Sequence, residues 1–218
     1  MKNPFLIKCL QVFLAIAPVG AAYAVEEPPF RVEARHGEVE IRAYGPVWVA
    51  ETTVSGTFSE AGNKAFRPLF NFINGNNTRQ EKIAMTAPAR QEPAAEGEKI
   101  AMTAPVTQRA AADGEGRFVI GFVMPAQMTR ETLPLPKDPQ VTLREIAPRR
   151  VAALRYSGTW SAERYQQHEK ALLEAVERAG LVPTGRIEFA RYDPPIMPWF
   201  LRRNEVIVEV TDRPASRG

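Results

Sequence analysis

The chain has 218 residues, 44% hydrophobic and 24% charged, enough length and apolar material for one domain with a sizeable core. Its 28 Lys and Arg stand against 25 Asp and Glu, a balance that excludes the strongly basic footprint of a nucleic-acid binder. A single cysteine, Cys9, excludes an intrachain disulfide, so stability must come from packing.

Residues 1–24 carry Lys2 and Lys8, then an apolar run from Cys9 to Val19, then Ala22-Tyr23-Ala24. Basic start, short apolar core and small-residue site are the order of a signal peptide cut after Ala24. The run falls short of the about 20 apolar residues of a permanent anchor, so membrane contact is expected only through this segment if it stays uncleaved. The expectation is an exported, periplasmic protein whose mature part is 25–218. Two basic residues and no acids leave with the leader, so the mature chain carries a formal charge of +1.

In the mature part, His36 beside Gly37 reads as a solvated loop. Val39, Ile41 and Ala43 alternate with charged neighbours as a strand, Tyr44-Gly45-Pro46 turns, and residues 47–54 form a second strand. Ser55-Gly56-Thr57 turns again, and Ser59 stands where a helix N-cap is wanted. Phe66, Leu69, Phe70 and Ile73 mark one helical face, with Pro68 expected to kink it. Lys82-Ile83-Ala84-Met85-Thr86-Ala87-Pro88 recurs as Lys99-Ile100-Ala101-Met102-Thr103-Ala104-Pro105. Each copy reads as a short strand ended by its proline, the two pairing as a hairpin or lining one wall. Residues 118–124 read as a middle strand, and the proline-rich 133–139 as a crossover.

A second window then repeats the first at a spacing of 102. Val49-Ala50 and Ser55-Gly56-Thr57-Phe58-Ser59 are matched by Val151-Ala152 and Ser157-Gly158-Thr159-Trp160-Ser161. The helix that follows should bury His168, Ala171, Leu172 and Ala175, and strands are expected at 187–192 and 205–211. The duplication predicts half-repeats at about 38–130 and 140–211. The fold class is α+β: a distorted antiparallel β-barrel or curled sheet from two pseudo-repeated β-α-β-β halves, with two main helices.

Five segments, in this order, resemble the SOUL haem-binding protein family over nearly the whole mature chain. They are Val39-Glu40-Ile41-Arg42 with Tyr44-Gly45-Pro46, the doubled Lys-Ile-Ala-Met-Thr-Ala-Pro, Phe122-Val123-Met124-Pro125, Tyr192-Asp193-Pro194-Pro195, and Arg202-Arg203-Asn204-Glu205-Val206. The resemblance implies two pseudo-repeated halves, similar to the effector-binding domains of some bacterial regulators. It also implies non-covalent binding of haem or a related tetrapyrrole in a hydrophobic cleft. Where some members carry a histidine considered as an iron ligand, this chain has Ala43, a departure that bears on axial ligation.

Haem needs an apolar slot, an iron ligand and a cationic rim. His168 is the candidate metal ligand, with Met85 and Met102 as soft contacts. Met197, Trp199 and Phe200 form a proline-flanked apolar lid beside Arg202 and Arg203, candidates for a propionate clamp. The catalytic patterns G-x-S-x-G, H-E-x-x-H and the phosphate-cradling glycine loops do not occur, so a binding protein is expected and not an enzyme. The alternatives are a binder of another apolar small molecule, or an envelope interaction protein with only opportunistic haem binding.

Overall fold

A computed structural model describes residues 25–78, 97–112 and 115–214. In chain order the elements are β1 (Phe30–His36), β2 (Val39–Tyr44), β3 (Val47–Ser55), α1 (Phe58–Ile73), β4 (Asn77–Thr78), β5 (Val106–Ala110), β6 (Arg117–Val123) and β7 (Leu135–Pro136). There follow β8 (Thr142–Ile146), β9 (Arg149–Tyr156), α2 (Ala162–Arg178), β10 (Leu181–Pro183), β11 (Glu188–Arg191), a short 3-10 turn (Trp199–Leu201) and β12 (Asn204–Asp212). The leader and the first Lys-Ile-Ala-Met-Thr-Ala-Pro copy, with Met85, lie outside the described residues. The second copy forms no named strand: Ile100 enters the core beside α1, and the Thr103 hydroxyl donates to the Val123 carbonyl.

The strands form one large antiparallel sheet in the order β1-β2-β9-β12-β11-β5-β6-β3-β8, with β10 added to β12. With β1 set aside the order is a palindrome: β2 matches β8, β3 matches β9, β5 matches β11 and β6 matches β12. The pseudo-twofold passes through the Gln108–Phe189 pair, where β5 meets β11. The 102-residue offset extends upstream of Val49 and Val151, to Arg42 and Arg144 and to Pro46 and Pro148. Each half is therefore β-β-α-β-β, more strands than the expected unit. The extra strands are short and mixed: β5 reads Val-Thr-Gln-Arg-Ala and β8 reads Thr-Leu-Arg-Glu-Ile.

The halves exchange their first strands. Only Gly45 and Pro46 separate β2 from β3, yet β2 pairs with β9 and β3 pairs with β8. Sequence neighbours thus lie toward opposite ends of the sheet, which must curl for so short a link to reach. It stops at a curled sheet and does not close into a barrel, because β1 occupies the second edge of β2 and leaves β8 as the other edge. His36 ends β1 as an exposed strand residue, not a loop residue.

Both helices lie on one face of the sheet, each over its own half. Leu69, Phe72, Ala61 and Ala65 of α1 pack on Ala50, Ile120 and Phe122. Leu172, Ala175 and Val176 of α2 pack on Leu154, Val206, Val208 and Phe189. Each large aliphatic or aromatic side chain so buried contributes about 1.5–3 kcal/mol. The buried faces differ from those read off the sequence: Phe66 and Phe70 are exposed and stack on each other at 5.2 Å, Ala171 is exposed, and His168 is half-buried. Small alanines let α1 approach its sheet closely, and that approach turns the two phenylalanines outward. Helix α1 runs unbroken through Pro68. Its N-cap is Thr57 and not Ser59, because Glu60 completes a reciprocal capping box with Thr57. The matching position in the second half is Ala162, so there Ser161 caps as expected.

Candidate functional site

The two faces of the sheet carry different chemistry. On the face away from the helices, the curl brings the two ends together, so that Val47 and Ile146 line the same cavity as Tyr44 and Ile207. Alternation along the strands places charged residues here, and they pair. Glu205, with no exposed surface, accepts from Arg42 at 2.7 Å, from the Tyr192 hydroxyl at 2.8 Å and from Arg203 at 2.9 Å. Glu51 accepts from Arg109 at 2.9 Å and Arg144 at 2.7 Å, and Arg149 donates to Glu188 at 2.8 Å and Glu209 at 3.1 Å. Burial alone would raise the Glu205 and Glu51 carboxyls, but their arginines hold both below the usual carboxylate value.

The cavity on this face has a volume of about 40 Å³, room for water and not for a macrocycle, since ligand pockets run to roughly 300–1,000 Å³. A wider basin of about 560 Å³ lies at the β1–β2 end. Its lining includes Arg35, Arg42, Arg155 and Arg203 against Glu27, Glu38, Glu40 and Glu205, which does not suit the flat apolar surface of a tetrapyrrole.

The helix-facing side carries the apolar and aromatic groups. At the pseudo-twofold, Phe58 from the start of α1 stacks on Tyr165 of α2 at 4.8 Å and leans on Phe189 at 5.5 Å. Tyr156 stacks on His168 at 3.7 Å, and His168 Nδ1 lies 2.6 Å from the Arg164 carbonyl, so Nδ1 carries the proton and Nε2 is the nitrogen left for a metal. Among the described residues no cluster of three His, Cys, Asp or Glu side chains could hold a metal ion.

On the same side stands the proline-flanked loop, with Ile196 90%, Trp199 56%, Phe200 58% and Leu201 61% exposed. Arg202 pins it: its Nε donates to the Met197 carbonyl at 2.8 Å, its Nη2 to the Pro195 carbonyl at 2.6 Å, and its guanidinium lies 4.3 Å over Trp160. Arg191 lies 5.1 Å from the same indole, and its Nη1 reaches the open side of Gly62 on α1. Gly62, Phe66 and Phe70 share one helical stripe, so the contacts from Arg202 through Trp160 and Arg191 end on the stripe of α1 that carries the two exposed phenylalanines.

Of the residues singled out by sequence, Met197, Trp199, Phe200 and Arg202 come together in this loop. Arg203 points the other way, to Glu27 at 2.9 Å and to Glu205, with its guanidinium 3.7 Å over Tyr192. Met102 is exposed on the strap before β5, and His168 sits in the helix layer against Tyr156. Ala43 lies in β2 opposite Arg150 of β9. Sequence reasoning missed Arg191, although its alternation with Phe189 on β11 places it on the helix-facing side. Burial without a carboxylate pulls this guanidinium down to about 10, and it remains a cation at neutral pH.

A family model described as SOUL heme-binding protein matches residues 25–95 and 91–209. Heme-binding protein 2 of Homo sapiens is 26% identical over 200 residues, covering 85% of this chain and 90% of the relative. Heme-binding protein 2 of Mus musculus is 24% identical over 211 residues, covering 90% and 95%. Among solved structures, the EcmrR C-terminal domain superposes with a TM-score of 0.57 at 10% identity, covering 84% of this chain and 99% of that one. A protein from Listeria innocua described as a hydrolase gives 0.53 at 13% identity, covering 82% and 94%. Such low identities show a shared fold alone.

Proposed function

The chain belongs to the SOUL heme-binding protein family, and from that premise we propose that it is an exported, non-catalytic carrier of haem or a related tetrapyrrole. The ligand's place is the outer surface between the 194–203 loop and the Phe66–Phe70 stripe of α1, not the interior of the curl. The observation that carries this reading is the exposed loop: four large apolar side chains face solvent while arginine bonds hold their backbone in place. Contiguous exposed apolar surface marks a binding site more often than it marks neglect. Trp199 and Phe200 offer faces for a flat ring, Met197 stands half-buried in the same loop, and Arg202 keeps the loop in shape. Haem, when bound, supplies its own redox chemistry. The iron-ligand assignment to His168 rests on Nε2, since Nδ1 is engaged with its own helix. Met102 remains a candidate soft contact.

Titration of the purified mature protein with hemin, followed at the Soret band, should saturate, and iron-free protoporphyrin should also bind, more weakly by whatever an iron bond to His168 Nε2 adds. Truncating Trp199 and Phe200 together to alanine should weaken both about tenfold or more. Nonsaturating absorbance identical to that of an unrelated carrier protein would refute the proposal. An unchanged low-spin spectrum in His168→Ala would remove His168 as iron ligand. N-terminal sequencing of protein from the periplasmic fraction should begin at Val25.

A further inference from the structure

We propose that the floor of the groove between α1 and α2 is an oxyanion site, in which Arg191, Arg164 and Tyr156 hold a carboxylate or phosphate group. Among the described residues three buried side-chain polar atoms have no hydrogen-bond partner, and they are Tyr156 Oη, Arg164 Nε and Arg191 Nε. Unmade bonds on buried donors are costly, and buried cations without anions more so, which points to a ligand that completes them.

The sheet register brings the three together. Tyr156 on β9 pairs with Asn204 on β12, which pairs with Arg191 on β11, so Tyr156 and Arg191 stand in one row two strand spacings apart, about 10 Å, with buried Asn204 between them. Tyr156 and Arg191 both rise on the side that faces the helices. Arg164 reaches the same row from α2, its Nη2 donating to the carbonyl of Ser157 at 3.0 Å, next to Tyr156. Two glycines make the room: a Cβ on Gly62 would lie 2.5 Å from Arg191 Nη1, and one on Gly158 would lie 2.5 Å from Arg164 Nε. Gln108 orients Arg191 by accepting from its Nη2 at 2.8 Å and anchors the site to α1 by donating to the Phe58 carbonyl at 2.8 Å.

Neither Arg164 nor Arg191 has a carboxylate at ion-pair distance among the described residues, whereas Arg42, Arg109, Arg144, Arg149 and Arg203 on the other face all do. Burial keeps the Tyr156 phenol protonated, so it donates as the guanidinium groups do. Two cations and a hydroxyl, each with one buried donor left unfilled and no carboxylate among the described residues to fill it, are the donor set of an oxyanion. The site lies next to the loop proposed for the tetrapyrrole, so the oxyanion could be a carboxylate of that ligand or a free ion.

The test is thermal unfolding of the full mature chain in inorganic phosphate at constant ionic strength. Wild type should show a saturable rise in Tm. Arg191→Gln should abolish the rise and Tyr156→Phe should diminish it, while the exposed control Arg178→Gln should keep it. Arg191→Gln should also melt no lower than wild type without phosphate, which separates loss of binding from loss of fold. A rise that does not saturate, or one equal in wild type and Arg191→Gln, overturns the site. Competition identifies the source. If free-acid protoporphyrin displaces phosphate and its dimethyl ester does not, the ligand's carboxylate fills the site. If neither displaces it, the occupant is a free anion. Saturable phosphate binding in a protein that binds no porphyrin would leave this site standing while the carrier role fell.

Discussion

The two faces of the sheet handle the same residue type in opposite ways. Inside the curl, arginines from four strands and one connecting loop end on glutamates. On the helix side, Arg164, Arg191 and Arg202 lie on indole, phenyl or carbonyl groups with no carboxylate in reach among the described residues. The contrast teaches that a balanced charge network belongs to the architecture, while the unbalanced one beside exposed aromatics is where a ligand is proposed.

The largest expected effect lies inside the curl. Glu205→Ala leaves Arg42 buried without its anion and should cost about 3–5 kcal/mol in urea denaturation. A loss below about 1 kcal/mol would mean that water reaches the network and the two faces are not so different.

Acid should find the same face. The Glu205 and Glu51 carboxyls lie below their ordinary value, so the stability they contribute is complete above about pH 4.3 and is lost as pH falls through their lowered folded values. Denaturation midpoints should hold from pH 7 to 5 and fall below that range, and Glu51→Gln should flatten the fall. A drop already complete between pH 7 and 5 would assign the sensitivity elsewhere.

A smaller effect of opposite sign is expected on the helix side. Arg191→Met removes a buried cation with an unmade bond, and it should stabilise the anion-free protein by about 1 kcal/mol. Destabilisation of similar size would show that Arg191 serves packing over Trp160 more than it waits for a ligand. The smallest change belongs to Trp199→Ala, which should shift stability by less than about 0.5 kcal/mol while reducing porphyrin affinity. Loss of stability without loss of affinity would reassign the loop to structure.

The duplication, both helices, most of the larger strands and the family were legible in the chain, because repeats and alternation are local patterns. The loop of Met197, Trp199 and Phe200 was legible too, since apolar residues between prolines have no regular element to join. The burial of the helices was read in part: Leu69, Ile73, Leu172 and Ala175 are buried as expected, while Phe66, Phe70 and Ala171 are exposed. Phe66 and Phe70 outrank alanines in hydrophobicity, and only the close approach of α1 to Ala50 and Phe122 favoured Ala61 and Ala65. Strand β1 was missed because it is largely exposed and polar, and its pairing to β2 is what keeps the sheet from closing.

By itself the sequence determined both helices, most of the larger strands and that the unit occurs twice, since backbone preference and periodicity act over a few residues. Only the tertiary structure decided that β2 and β8 would change places, which glutamate each arginine would meet, and that Tyr156, Arg164 and Arg191 would share one groove. Those outcomes depend on contacts between residues far apart in the chain, and no local pattern encodes which distant surface a side chain will face.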